Sequence, residues 1–208
     1  GTLTSDQVLD MFKNLPPVKL ETIRHEAGDF MLELPIMDFH LGKLSWREET
    51  GVDYDLKIAE KLWRATVSNL LGKAKLAGTP EYILFPVGQD FFHFDTPATT
   101  TTAGTQLDSD TRWQKMFNTG VALLIWAVEQ CRMLAPVKVL WIPGNHDTVL
   151  SYAATVGLAQ RYAETEDVTV DLSPQPRKYV RYGSNLIGFA HGVEEGKRLE
   201  GLMQIEAA

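Results

Sequence analysis

An amide, an imidazole and a carboxylate follow one another at Asn145, His146 and Asp147. They come directly after the apolar run Val137–Ile142 and the break Pro143-Gly144. Left unpaired at the end of a buried strand, such groups are costly. Facing a metal ion or a reacting group at a sheet edge, they are satisfied. The plainer alternative is a strand and a turn, with Asn145 bending the chain and Asp147 capping the next helix. The pattern recurs, however. Residues 31–37 (M-L-E-L-P-I-M) lead into Asp38-Phe39-His40. Residues 82–87 (Y-I-L-F-P-V) lead into Gly88-Gln89-Asp90 and then His93, and residues 186–190 (L-I-G-F-A) lead into His191-Gly192. In open sheets whose strands feed helices, ligands bind beyond the strand ends, so four such ends point to one shared site.

The elements that must position these residues read as an α/β chain. Strands are expected at 29–37, 81–87 and Val137–Ile142, each followed by a helical pattern, at 53–77, 110–134 and 147–164. Ile58, Leu62, Ala65 and Leu70 share one helical face, and Trp113, Phe117, Gly120, Leu124, Ala127 and Cys131 another. Three short strands at 168–172, 179–182 and 186–190 lie close together, which suggests an antiparallel or mixed region. A short helix is expected at 6–14, stopped by Pro16-Pro17, and partial helix at 193–208; 18–28 has no clear pattern. The whole, 1–208, reads as one domain.

Two segments carry open readings. The stretch 95–106 (D-T-P-A-T-T-T-T-A-G-T-Q) is poor in large apolar groups and should be an exposed, mobile loop, either a plain connection or a lid beside the site. His93 fits a role near a substrate phosphate and a structural role equally. His25, away from the strand ends, reads as a surface or structural histidine. Arg112 and Lys115 could reach a phosphate, but solvated surface charge is the simpler reading.

With 208 residues, 44% apolar and 23% charged, the chain has the composition of a globular protein with one sizeable core. A formal charge of -7 leaves no basic footprint for tight, nonspecific nucleic-acid binding. The lone Cys131 excludes an intramolecular disulfide and fits a reducing, cytoplasmic setting. No signal peptide or transmembrane span is legible, so no membrane partner is expected. Gly1 without a preceding Met suggests a processed or engineered start.

Taken in order, D-F-H-L-G (Asp38 to Gly42), G-Q-D (Gly88 to Asp90) with F-F-H (Phe91 to His93), G-N-H-D (Gly144 to Asp147) and H-G (His191, Gly192) resemble the calcineurin-like metallophosphoesterases. The branch they resemble most is that of bacterial and phage DNA-repair exonucleases, with its D-x-H-L-G and D-L-F-H. The protein Ser/Thr phosphatase branch is less similar, since its D-R-G and G-N-H-E are not here. The resemblance covers roughly 29–192. Two departures stand out. Gln89 separates Gly88 from Asp90, and the family's closing G-H-x-H does not occur; a C-terminal truncation is the simplest expectation for the latter.

The resemblance implies an α/β/β/α sandwich with mixed sheets flanked by helices, and a centre of two divalent cations. Manganese is the expected metal, with iron or zinc as alternatives, since carboxylate, imidazole and amide ligands without thiolate suit all three. Asp38 and His40 would bind the first cation, Asn145 and His191 the second, and Asp90 would bridge both. His146 would protonate the leaving oxygen, with Asp147 orienting its imidazole. The implied activity is phosphoester hydrolysis, as a phosphodiesterase or nuclease acting on DNA or a nucleotide. The alternatives are a non-catalytic scaffold of the same fold, and a small-molecule phosphomonoesterase or cyclic-nucleotide phosphodiesterase.

Overall fold

The computed structural model describes residues 20–206; the helix expected at 6–14 lies outside them. Four strands form one parallel sheet in the order β1-β2-β3-β4: β1 Phe30–Glu33, β2 Pro80–Gly88, β3 Val137–Ile142 and β4 Val168–Asp171. Parallel neighbours need crossovers, and three helices supply them: α2 Leu56–Ala77, α3 Trp113–Arg132 and α4 Thr148–Arg161. A one-turn helix, α1 Arg47–Thr50, precedes α2. Beyond β4, β5 Lys178–Tyr182 and β6 Asn185–Phe189 form a separate antiparallel hairpin, followed by α5 Leu199–Glu206.

Residue alternation along β2 explains the layers. Ile83, Phe85 and Val87 point into a core with Trp63 and Val67 of α2, Leu123 and Val128 of α3, and Leu150 and Leu158 of α4. Tyr82 and Leu84 belong to a second cluster, with Leu140 and Ile142 of β3 and Phe189 of β6. The helices therefore cover one face of the parallel sheet and the hairpin lies against the other. With both faces covered, β2 is buried almost throughout, as parallel strands usually are.

Three expectations need correction. The first strand stops at Glu33, not 37: Leu34 makes one more ladder bond to the Leu84 carbonyl at 2.9 Å, and Pro35 then has no N–H to donate. The sheets are not mixed, because parallel and antiparallel pairings separate into two sheets. The short strand at 168–171 belongs to the parallel sheet, not to the hairpin region. His25 approaches Asp167 at 3.4 Å, and Asp167 is held by Arg132 through two bonds of 3.0 Å. This histidine thus borders a buried ion pair. Among the described residues no helix is long and apolar enough to cross a membrane.

Candidate metal centre

The loops leaving β1 and β2 run side by side. Asp38 N–H donates to the Gln89 carbonyl, His40 N–H to that of Asp90 and Leu41 N–H to that of Phe91, at 2.8–2.9 Å. Among the described residues, four of the five non-glycine residues with positive φ sit here: Asp38 (51°), His40 (50°), Gln89 (50°) and Asp90 (63°). Such conformations cost free energy for side chains with a Cβ and tend to collect where function needs them. Gly88, at φ 102°, lies so close to the Ile142 carbonyl that no side chain fits. Gln89 and Asp90 follow in a left-handed turn directly at the end of β2.

The loop after β3 closes on Asp90. The backbone N–H of His146 donates to Asp90 Oδ1 at 2.9 Å. A Cβ on Gly144 would overlap Asp90 and the Asp147 carboxylate, so this approach requires glycine. His191, beyond β6, brings Nε2 to 2.7 Å from Asn145 Oδ1 and 3.4 Å from Asp90 Oδ2. His40 Nε2 lies 3.9 Å from Asp38 Oδ1. One ligand atom each from Asp38, His40 and Asp90 lies within 4.8 Å of the others, and so does one each from His40, His93 and His146. Residues separated by up to some 150 positions in sequence therefore converge, as the strand-end pattern implied.

His93 belongs to this cluster. Its Nδ1 is 3.4 Å from His40 Nδ1, and its ring stacks on that of His146 with centroids 5.5 Å apart. Its carbonyl accepts from His146 Nδ1 at 2.7 Å. A carbonyl can only accept, so Nδ1 of His146 carries a proton, and Nε2 is the ring nitrogen left for other partners.

Asp147 departs from both sequence readings. Wholly buried, it accepts from Asp90 N–H at 3.3 Å and Phe92 N–H at 3.0 Å. Its side chain does not cap α4, and the imidazole it was expected to orient is set by the His93 carbonyl. Asp147 instead fastens the β3 loop to the β2 loop. The cap comes from Asp95, which the sequence reading passed over. Buried in the loop after β2, it accepts from Val149 N–H and Leu150 N–H at the start of α4, at 2.8–3.1 Å. It also accepts from Thr102 Oγ1 at 2.7 Å. Its only signal in sequence was an aspartate two residues beyond His93.

The threonine-rich segment is folded on itself. Asp95 N–H donates to the Thr100 carbonyl and Thr101 N–H to that of Thr105, and the Thr96 and Thr100 hydroxyls lie 2.8 Å apart. Thr102 N–H reaches the Asn145 carbonyl at 3.3 Å, so the loop adjoins the cluster. Arg112 lines a different cavity, with Pro97, Asp110 and Trp113.

Burial and the mutual charge of neighbouring groups set the electrostatics of the cluster. Burial pushes Asp147 up to about 8, with the Phe92 N–H opposing and the Asp90 and Asp95 charges adding to the rise. Burial likewise raises Asp95 despite its three donors. For Asp90, burial acts upward, but the His191 hydrogen bond and the His146 N–H outweigh it and hold the carboxyl below its ordinary range. His191 is raised, chiefly by its hydrogen bond to Asp90. His93 falls to about 4 through burial and the neighbouring charges of His40, His146 and Lys43. Burial, then His146, also lowers His40. The shifts of His40 and His93 favour neutral imidazoles and that of Asp90 an ionised carboxylate, the protonation states that a cation requires of its ligands.

Comparison of the chain with protein-family models, with curated proteins and with solved structures found no match.

Proposed function

We propose that this chain is a metal-dependent phosphoesterase of the calcineurin-like type, acting as a phosphodiesterase, with Asp38, His40, Asp90, Asn145 and His191 holding two divalent cations. The reading rests on one observation. Asp90, a buried carboxylate in a left-handed turn, is the meeting point of His146, His191 and the Asp38–His40 loop. The donor set fits a cation such as Mn²⁺: oxygens and imidazole nitrogens, with the single thiol, Cys131, buried within α3. The His191 Nε2–H lies between the Asn145 and Asp90 oxygens, and a cation in the place of that proton would satisfy all three groups. The helix–sheet–hairpin layering is compatible with three layers of the sandwich that the resemblance implies.

Divalent cations bound there would supply Lewis acidity toward phosphoryl oxygens and a source of nucleophilic water near neutral pH. His146 then acts as the proton donor. Its Nδ1 is committed to the His93 carbonyl, so Nε2 is the nitrogen that would take up a proton, pass it to the departing oxygen and return to the acceptor form. Asp147 and Asp95 are positioning residues that hold the β3 loop and the start of α4 against the β2 loop. The cluster of His40, His93 and His146 supports a second arrangement, in which these three imidazoles hold a cation themselves.

The test is hydrolysis of bis-p-nitrophenyl phosphate by the purified chain with Mn²⁺. Turnover that Asp90→Asn and His146→Ala abolish supports the proposal. Turnover indifferent to both overturns it, and Mn²⁺ binding without turnover would favour the scaffold reading.

A further inference from the structure

A cavity of about 460 Å³ opens beside the proposed centre and shares Asn145 and His191 with it. From its residues we infer the substrate class: a small phosphodiester carrying one flat, uncharged organic group of about nucleoside size, rather than polymeric nucleic acid. The inference rests on the phosphodiesterase reading.

Three observations carry it. First, because Asn145 and His191 belong to both, a group that fills the cavity lies beside the proposed centre, where a substituent of a phosphoryl group held there would fall. The volume lies in the range of small-ligand pockets. Second, the walls are apolar: Trp141, Pro143, Pro174, Pro176 and Val193. The polar atoms among them are largely engaged already. Trp141 Nε1 donates to Ser151 Oγ at 3.0 Å, Thr148 Oγ1 to the Gly144 carbonyl and Thr102 Oγ1 to Asp95. What remains for a guest is carbon and ring surface, which suits a flat ring. Third, the lining contains Glu194 and Glu195 and no lysine or arginine. Binding a nucleic-acid polymer depends on cationic side chains replacing condensed counterions, and the lining offers none: the nearby Arg177 is already committed to Glu195 at 2.8 Å.

The experiment is titration calorimetry on the Mn²⁺-loaded chain with thymidine 5′-monophosphate, methyl phosphate and a 20-base-pair duplex. The nucleotide should bind at least about tenfold more tightly than methyl phosphate, the gain expected from seating one base against such walls. It should also bind more tightly than the duplex. Ala103→Trp, at an exposed lining position, should erase the nucleotide's advantage and leave methyl phosphate binding unchanged. Val193→Trp, at a second exposed lining position, provides an independent check. Equal affinity for the two small phosphates, tighter binding of the duplex, or an advantage that survives both variants overturns the inference. Binding is read without turnover, so failure of bis-p-nitrophenyl phosphate hydrolysis would count against the phosphodiesterase reading separately.

Discussion

His146 donates its backbone N–H to Asp90 Oδ1 at 2.9 Å, across 56 positions of sequence. This bond joins the loops after β2 and β3, and it forms only because Gly144 has no side chain to keep the loops apart. Gly144→Ala should therefore destabilise the fold by about 2 kcal/mol, the scale of an overpacked site, and weaken Mn²⁺ binding in parallel. Urea midpoints and metal titration on the same variant check both effects.

Asp95 should prove more important to stability than a loop aspartate normally is. It satisfies Val149 N–H, Leu150 N–H and Thr102 Oγ1 at once. Asp95→Ala leaves the start of α4 uncapped and should cost on the order of 2 kcal/mol. Asp95→Asn, which keeps one acceptor, should cost less. Hydrogen exchange at the Val149 and Leu150 amides should accelerate in the alanine variant before exchange in β2 changes.

His146 separates the two arrangements of the centre. As a proton donor it should lower turnover by about 10²–10⁴-fold when replaced by alanine, with Mn²⁺ affinity unchanged. A comparable fall in Mn²⁺ affinity would instead make it a ligand alongside His40 and His93.

Cys131 gives stability a pH dependence at the alkaline end. Burial pushes its thiol up to about 12 from an ordinary 9.0. Between those values the folded chain keeps a proton that the unfolded chain has lost, so stability must fall as pH rises through that window. The slope contributed by this one group is at most about 1.4 kcal/mol per pH unit. Cys131→Ala removes it while adding a pH-independent cavity penalty. The stability difference between the two proteins should thus be constant below pH 9 and narrow above it, as guanidinium titrations at successive pH values would record.

Much of this arrangement was legible in the sequence because buried parallel strands are apolar runs with polar residues at their ends. Val137–Ile142, bounded by Pro136 and Pro143, has the predicted limits. The residues Asp38, His40, Asp90, Asn145, His146 and His191 were read from strand ends, and the strand ends do converge. Other features depend on contacts that a linear pattern does not encode. Nothing local shows that the strand at 168–171 pairs with β3, since the alternation of a short strand does not name its neighbour. The exchange of roles between Asp147 and Asp95 was hidden for a similar reason. An aspartate just before a helix looks like a cap, and only the close approach of the β2 loop reveals that its carboxylate is committed elsewhere. The threonine-rich segment looked like open loop because its stabilisation is polar and internal, with few apolar residues to announce it.

The central claim is that Asp38, His40, Asp90, Asn145 and His191 gather to bind cations. Its most direct test is Mn²⁺ titration followed by NMR of the histidine rings. The account predicts saturable binding that broadens the His40, His93, His146 and His191 signals, spares His25, and disappears in Asp90→Asn. Absence of binding, broadening confined to other residues, or binding undiminished in Asp90→Asn would contradict it.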